Sequence, residues 1–255
     1  MTWVESASRS FRARHDAGAR DDAERVLHSL EVTREELAHH FPATITGLTV
    51  VLHRSAASLS LACPGVPLAW AATTPAARRY LAGWPGRQEL HVLEPAALEQ
   101  RASAVPGSRE MLELTPSALY ARRVIDESNP QLRDRTAARR LLVELRWAWL
   151  LEGAARWFAG QTDHARPAIA RRLREGGRPA FPPGVRDAPL LGGTVIDLLV
   201  RERGERAAAE LACRLHPRGP RRALVKAFDG RPLSMIEQGW RAHLNRLASA
   251  SYALS

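Results

Sequence analysis

The run WAWLLEGAARWFAG, residues 147–160, limits the possible folds more than any other segment, because it sets one carboxylate, Glu152, inside an apolar helical pattern. From Thr136 to Gly160, Leu141, Leu145, Ala148, Ala155 and Ala159 recur at steps of three and four, and Glu152 falls within that stripe. A charge on a packing face must meet a counter-charge or a ligand, since burying it alone is costly. Trp147, Trp149, Leu150 and Trp157 fill the other sides, so the spacing predicts a helix at the centre of the fold.

The rest of the chain predicts what that helix packs on. Residues 1–20 are polar and rich in Arg and Ser, and are expected to be a flexible N-terminus. Residues 20–41 read as helix, with Thr33 and Glu36 spaced as a capping box for its second part and Pro42 ending it. The runs 47–53, 66–73 and 88–95 are β-branched or aromatic and bounded by Pro and Gly, which predicts three strands of one small sheet. After Pro95 the pattern turns helical: 96–103, 115–125 with Thr115 as N-cap and Pro116 at the first helical position, 136–160, 194–215 punctuated at Gly204, and 234–248. Between them, 176–193 is a Pro/Gly-rich connection, readable as a lid or as a plain surface loop. Strands early and helices late predict an α+β fold, a small N-terminal β-sheet packed on a mainly helical C-terminal half. The expected organisation is one domain over 21–255, with helix and sheet in 21–105 and helices in 106–255; 255 residues suffice for one sizeable core.

Charge narrows the partners. The net charge is +10, but Lys226 is the only lysine and the arginines are spread over the whole length. The densest runs, Arg139-Arg140, Arg171-Arg172 and Arg221-Arg222, are doublets without interleaved aromatics, which points to solvated helix faces and away from nucleic acid. Cys63 and Cys213 lack neighbours at metal spacing and read as small core residues. No signal-type apolar segment opens the chain and no run reaches the ~18 apolar residues of a membrane span. The expectation is therefore a cytoplasmic protein without a membrane partner.

The segment WAWLLEGAARWFAGQ resembles the W-L-x-E-G-x-A-x-Y-x-x-G stretch of the gluzincin zinc metallopeptidases, in which the glutamate is the third zinc ligand. LTVVLH, IDLLVRERG and AFDGRPLSMIEQGWRAHL are similar, in the same order, to the strand, the following helix and the tail of that group, so the likeness spans most of 45–248. It implies a zincin-like fold with Glu152 in the third-ligand position.

The remainder of that metal site is missing. A gluzincin brings two histidines and a general-base glutamate from one H-E-x-x-H turn, because i and i+4 share a helix face. Here that turn is expected near 108–125, yet no histidine occurs between His91 and His164. EELAHH (35–40) has the pattern only if Glu35 were histidine, and it precedes the strands. Degeneracy thus implies no metal, no cofactor and no catalytic residue, because one carboxylate cannot hold zinc and zinc is what activates the water.

Glu152 then has two readings: a vestigial ligand paired with Arg122, Arg123, Arg139 or Arg140, or an anchor for a ligand in the old cleft, lined by Trp147, Trp149, Arg156, Trp157 and Tyr120. The expected function is a non-catalytic, peptidase-like protein that binds or scaffolds a protein or peptide partner. Two rivals stand beside it. One is a hydrolase reusing the cleft around Glu152 without metal or with atypical ligands such as His39, His53 or His91, and the other is a basic nucleic-acid-associated regulator.

Overall fold

The computed structural model describes residues 3–133 and 136–250. Residues 1–2, 134–135 and 251–255, which belong to the expected N-terminal segment and domain, lie outside the described residues.

Five strands form one mixed sheet: β1 (Trp3–Ala7), β2 (Phe11–Asp16), β3 (Leu48–His53), β4 (Gly83–Pro85) and β5 (Glu89–Leu93), in the order β1-β2-β3-β5-β4. β2, β3 and β5 run parallel, and β1 and β4 are the antiparallel edges. The helices before and among the strands are α1 (Arg20–Leu37), α2 (Ala56–Ala62), α3 (Gly65–Ala72) and α4 (Pro75–Arg78). After the sheet come α5 (Pro95–Arg101), α6 (Ser108–Glu113), α7 (Thr115–Ser128), α8 (Pro130–Arg133), α9 (Ala137–Arg146), α10 (Ala148–Phe158), α11 (Gln161–His164) and α12 (Arg166–Arg174). The chain continues through α13 (Ala188–Arg203), α14 (Glu205–Cys213), α15 (Pro220–Ala227) and α16 (Leu233–Ala250). The architecture is α+β, and one buried apolar cluster runs from Phe11 to Leu247. Among the described residues no helix is long and apolar enough to cross a membrane.

Several expectations are corrected. The N-terminal segment is not frayed: residues 3–16 form an edge hairpin whose second strand, FRARHD, buries Phe11, Ala13 and His15 and turns Arg12, Arg14 and Asp16 outward. Glu31 of α1 fastens it, accepting from the Ser8 hydroxyl at 2.7 Å and the Ser10 amide at 2.6 Å. The expected strand 66–73 is helix α3, because proline is tolerated in a first helical turn and the alanines that follow favour helix. Helix α1 is continuous, and Thr33 bonds the Ser29 carbonyl and Ser117 hydroxyl instead of capping. Thr115 lies inside α7, preceded by Leu114 at the cap.

The long helix expected over 136–160 is two helices that meet at Trp147, which has left helical dihedrals (φ −109°, ψ 13°). Leu141 and Leu145 therefore face solvent rather than continuing the stripe of α10. Within α10 the stripe holds: Ala155 is buried, and Gly153 packs on Gly192 of α13. A Cβ on Gly153 would stand 2.3 Å from the Gly192 carbonyl carbon, and one on Gly192 only 2.5 Å from the Trp149 carbonyl oxygen. The two backbones touch, so no side chain fits between them.

The Pro-rich connection is shorter than expected and firmly packed, since α13 begins at Ala188. Arg172 clamps Asp187 with two bonds of 2.6 and 3.0 Å, and Phe181 lies against the Trp240 ring at 5.1 Å. From the α10/α13 contact we expect Gly153→Ala to destabilise by about 1–3 kcal/mol or more through overpacking. Gly239→Ala in α16, where nothing lies within 4 Å, should be neutral or stabilising by up to about 1 kcal/mol. Denaturant unfolding of both variants checks the contrast.

Candidate functional site

Glu152 projects from α10 toward α7, where Arg122 meets it at 2.5 Å through Nη1. The same guanidinium donates through Nε to Asp126, one turn along α7, at 2.9 Å. Arg140 of α9 closes the group, reaching Asp126 at 3.3 Å and Glu144 at 2.8 Å, while Glu144 lies 3.7 Å from Arg122. Arg123 stands 3.5 Å from the second Asp126 oxygen, and Arg156 3.6 Å from the second Glu152 oxygen. Arg122 and Asp126 are buried, whereas Glu152 keeps 27% of its side chain exposed. Burial works against the Arg122 charge, but Asp126, Glu152 and Glu144 overcome it and hold its pKa above the ordinary value. For Arg156 burial prevails over Glu152 and its pKa falls.

The arginine partner thus comes from the 115–125 segment, as one of the two readings anticipated. Sequence reasoning missed Asp126 and Glu144; the i, i+4 spacing of Arg122 and Asp126 was the available signal.

Most of the residues expected to line a cleft do not. Trp147 and Trp149 are buried core residues. Tyr120 is fully buried, with its ring edge-on to Phe11 at 5.0 Å and its hydroxyl donating to the Ile45 carbonyl at 2.9 Å. Arg156 is also buried and braces the backbone, bonding the Gln161 side chain at 2.8 Å and the Tyr80 carbonyl at 3.3 and 3.4 Å. Large rings on a central helix gain more by burial than by exposure, which is why the pattern misled. Trp157, by contrast, lines a groove of about 600 Å³ between α1 and the end of α10, together with Leu37, His40, Leu114, Phe158 and Glu205. Glu152 is not among its lining residues.

The donors around Glu152 do not suit zinc. Asp126 is bound to the same guanidinium as Glu152, so a divalent ion there would confront a permanently charged arginine. Of the three atypical candidates, His39 sits on the exposed end of α1, bonded to the Glu36 carbonyl at 3.3 Å. His53, which is buried, and His91 meet across β3 and β5 at 3.1 Å, with Glu89 3.4 Å from His91. Among the described residues no group of three His, Cys, Asp or Glu is arranged to hold a metal. Comparison of the chain with protein-family models, curated proteins and solved structures finds no match.

Two outcomes follow from these clusters. Arg122→Met takes from buried Asp126 its closest partner, leaving Arg140 and Arg123 at 3.3 and 3.5 Å, and should cost about 3 kcal/mol, whereas Glu152→Gln, which keeps a hydrogen-bond acceptor and is partly solvated, should cost less, about 1–2 kcal/mol; thermal and urea unfolding rank the pair. His53 has its pKa lowered from 6.5 to about 4, by burial first and then by His91. Below pH 6.5 the unfolded chain takes up that proton and the folded chain does not, so stability falls as pH drops from 6.5 toward 4, by up to about 3 kcal/mol. His53→Gln should flatten the stability curve in that window.

Proposed function

We propose that the protein is a non-catalytic relative of the gluzincin metallopeptidases, with a binding or scaffolding role toward a protein or peptide partner in the cytoplasm. The observation that carries this reading is the Arg122 guanidinium held between Asp126 and Glu152. Arg122 and Asp126 stand at i and i+4 on α7, the spacing by which two histidines share a metal, and Glu152 approaches from a later helix as a third ligand does. A mixed sheet with an antiparallel edge strand precedes both helices, in keeping with the order that the resemblance implies. In this reading R-R-V-I-D, residues 122–126, occupies the turn where H-E-x-x-H would lie.

The substitution removes the chemistry while keeping the helix contact. A guanidinium balances the former ligand's charge and ties α10 to α7, but it offers no open coordination position and leaves water near its bulk pKa of ~15.7.

Rebuilding the turn tests the ancestry. Wild-type protein should retain no stoichiometric zinc after dialysis. The triple variant R122H/R123E/D126H should take up about one equivalent, and adding E152Q should abolish it. Circular dichroism establishes that each variant is folded. A folded triple variant that ignores zinc, or wild-type protein that holds one equivalent through Glu152, would refute the reading.

A further inference from the structure

From Ser55 to Ala77 the chain carries no Asp, Glu, Lys, Arg or His, although a quarter of all residues are charged. This stretch folds into the helical hairpin α2–α3 and the start of α4, on the surface beside β3 and β5. Its polar groups are used locally or turned inward. Ser55 and Ser58 form a reciprocal capping box, while Thr73 and Thr74 are buried and bond backbone carbonyls. The positions left facing water include Leu61, Pro64, Pro67, Leu68, Ala71 and Ala72. Leu61 and Leu68, 85% and 73% exposed, are the most exposed large apolar side chains among the described residues. A surface helix in water normally shows the opposite arrangement.

The hairpin is anchored as a firm platform. A Cβ on Gly65 would lie 2.7 Å from the Trp84 ring, so that ring packs directly on the backbone, and the Trp70 indole donates to the Leu81 carbonyl at 2.8 Å. At its base Arg78, Arg79 and Arg101 gather. Arg79 donates to the Arg101 carbonyl at 2.6 Å, Arg101 donates to the Arg78 and Arg79 carbonyls at 2.7 Å, and Arg101 lies over the Trp70 ring at 5.0 Å. None of the three makes an ion pair with a carboxylate among the described residues, so this positive charge is uncompensated.

We propose that the α2–α3 hairpin docks this chain onto an anionic lipid bilayer, with Leu61 and Leu68 entering the acyl boundary and Arg78, Arg79 and Arg101 meeting the lipid phosphates. Exposed leucines on α2 and α3, with a carboxylate-free arginine group packed on Trp70 of α3, match the two attractions of an interfacial anchor, buried apolar area and charge toward anionic lipid. A protein partner is the poorer match, because such interfaces centre on aromatic or arginine anchors where leucine is under-represented. The expectation of no membrane partner rested on the lack of a spanning segment. Docking on a surface needs none.

Co-sedimentation of the full chain with vesicles of phosphatidylcholine, with and without phosphatidylglycerol, tests the proposal. Wild-type protein should pellet with the phosphatidylglycerol vesicles, remain in solution with phosphatidylcholine alone, and be released by salt. Leu61→Glu with Leu68→Glu should weaken binding at least tenfold and Arg78→Glu several-fold, with unfolding profiles unchanged because all three sites are exposed. Leu61→Trp keeps the tip apolar and should bind at least as well, its indole emission shifting blue on vesicles. Wild-type protein that ignores anionic vesicles, or a glutamate double variant that binds like wild type, overturns it. So does equal binding to phosphatidylcholine alone, or a self-association that the double variant abolishes without any vesicle binding.

Discussion

Helix α10 is gripped from two sides by contacts of opposite character, and adjacent residues supply both. Gly153 brings its backbone against Gly192 of α13, while Glu152 reaches the Arg122 guanidinium of α7. Successive helical residues are about 100° apart around the axis, so neighbours in sequence address different partners. The glycine beside the carboxylate is thereby explained. With α10 seated at backbone distance on α13, Glu152 is presented to α7 with little freedom to retreat. A buried pair gains its net energy only when its remaining donors and acceptors are satisfied, and Asp126, Arg140, Glu144 and Arg156 supply that second layer.

The net charge of +10 resolves into arginines with unlike duties. Arg122, Arg156 and Arg172 are buried and serve as internal struts, bonding carboxylates, a glutamine side chain and backbone carbonyls. Others, such as Arg109 and Arg206, pair with glutamates one helical turn away on exposed faces, where each contributes little. Only where carboxylates are lacking, as around Arg101, does the excess become a local field. Net charge alone therefore says little about partners in an arginine-rich chain; what matters is which guanidiniums lack a counter-charge.

Much of the element order was legible in the sequence. The 115–125 and 234–248 helices, the break at Gly204 and the strands at 47–53 and 88–95 all appear, because each has a sustained period or a clear terminator. The pairing of Glu152 was legible too, since a charge on a packed stripe demands a partner. What escaped was set by tertiary contacts. FRARHD alternates with period two, but three charges in six residues masked a strand that buries only alternate positions. GVPLAWAA is apolar on every side, and a short run of that kind carries no period to separate strand from helix. The bend at Trp147 has neither Gly nor Pro to announce it.

That bend clarifies why two exposed apolar surfaces in this fold deserve different interpretations. Continuing α9 straight into α10 would have kept Leu141 and Leu145 on the packed stripe. Bending at Trp147 exposes them, but it lays Arg140 and Glu144 over Asp126 and Arg122, completing a charge cluster whose members would otherwise be short of partners. Losing apolar burial on one short helix is offset by satisfying buried charges, each of which costs more when left alone. The exposed leucines of α9 are thus accounted for within the chain. No such exchange explains the α2–α3 hairpin. Its outward leucines and prolines free no polar group to act elsewhere, its inward face is already filled by Leu59, Cys63 and Val66, and its polar side chains are satisfied locally. An apolar surface that contributes nothing to its own fold has its use outside the chain.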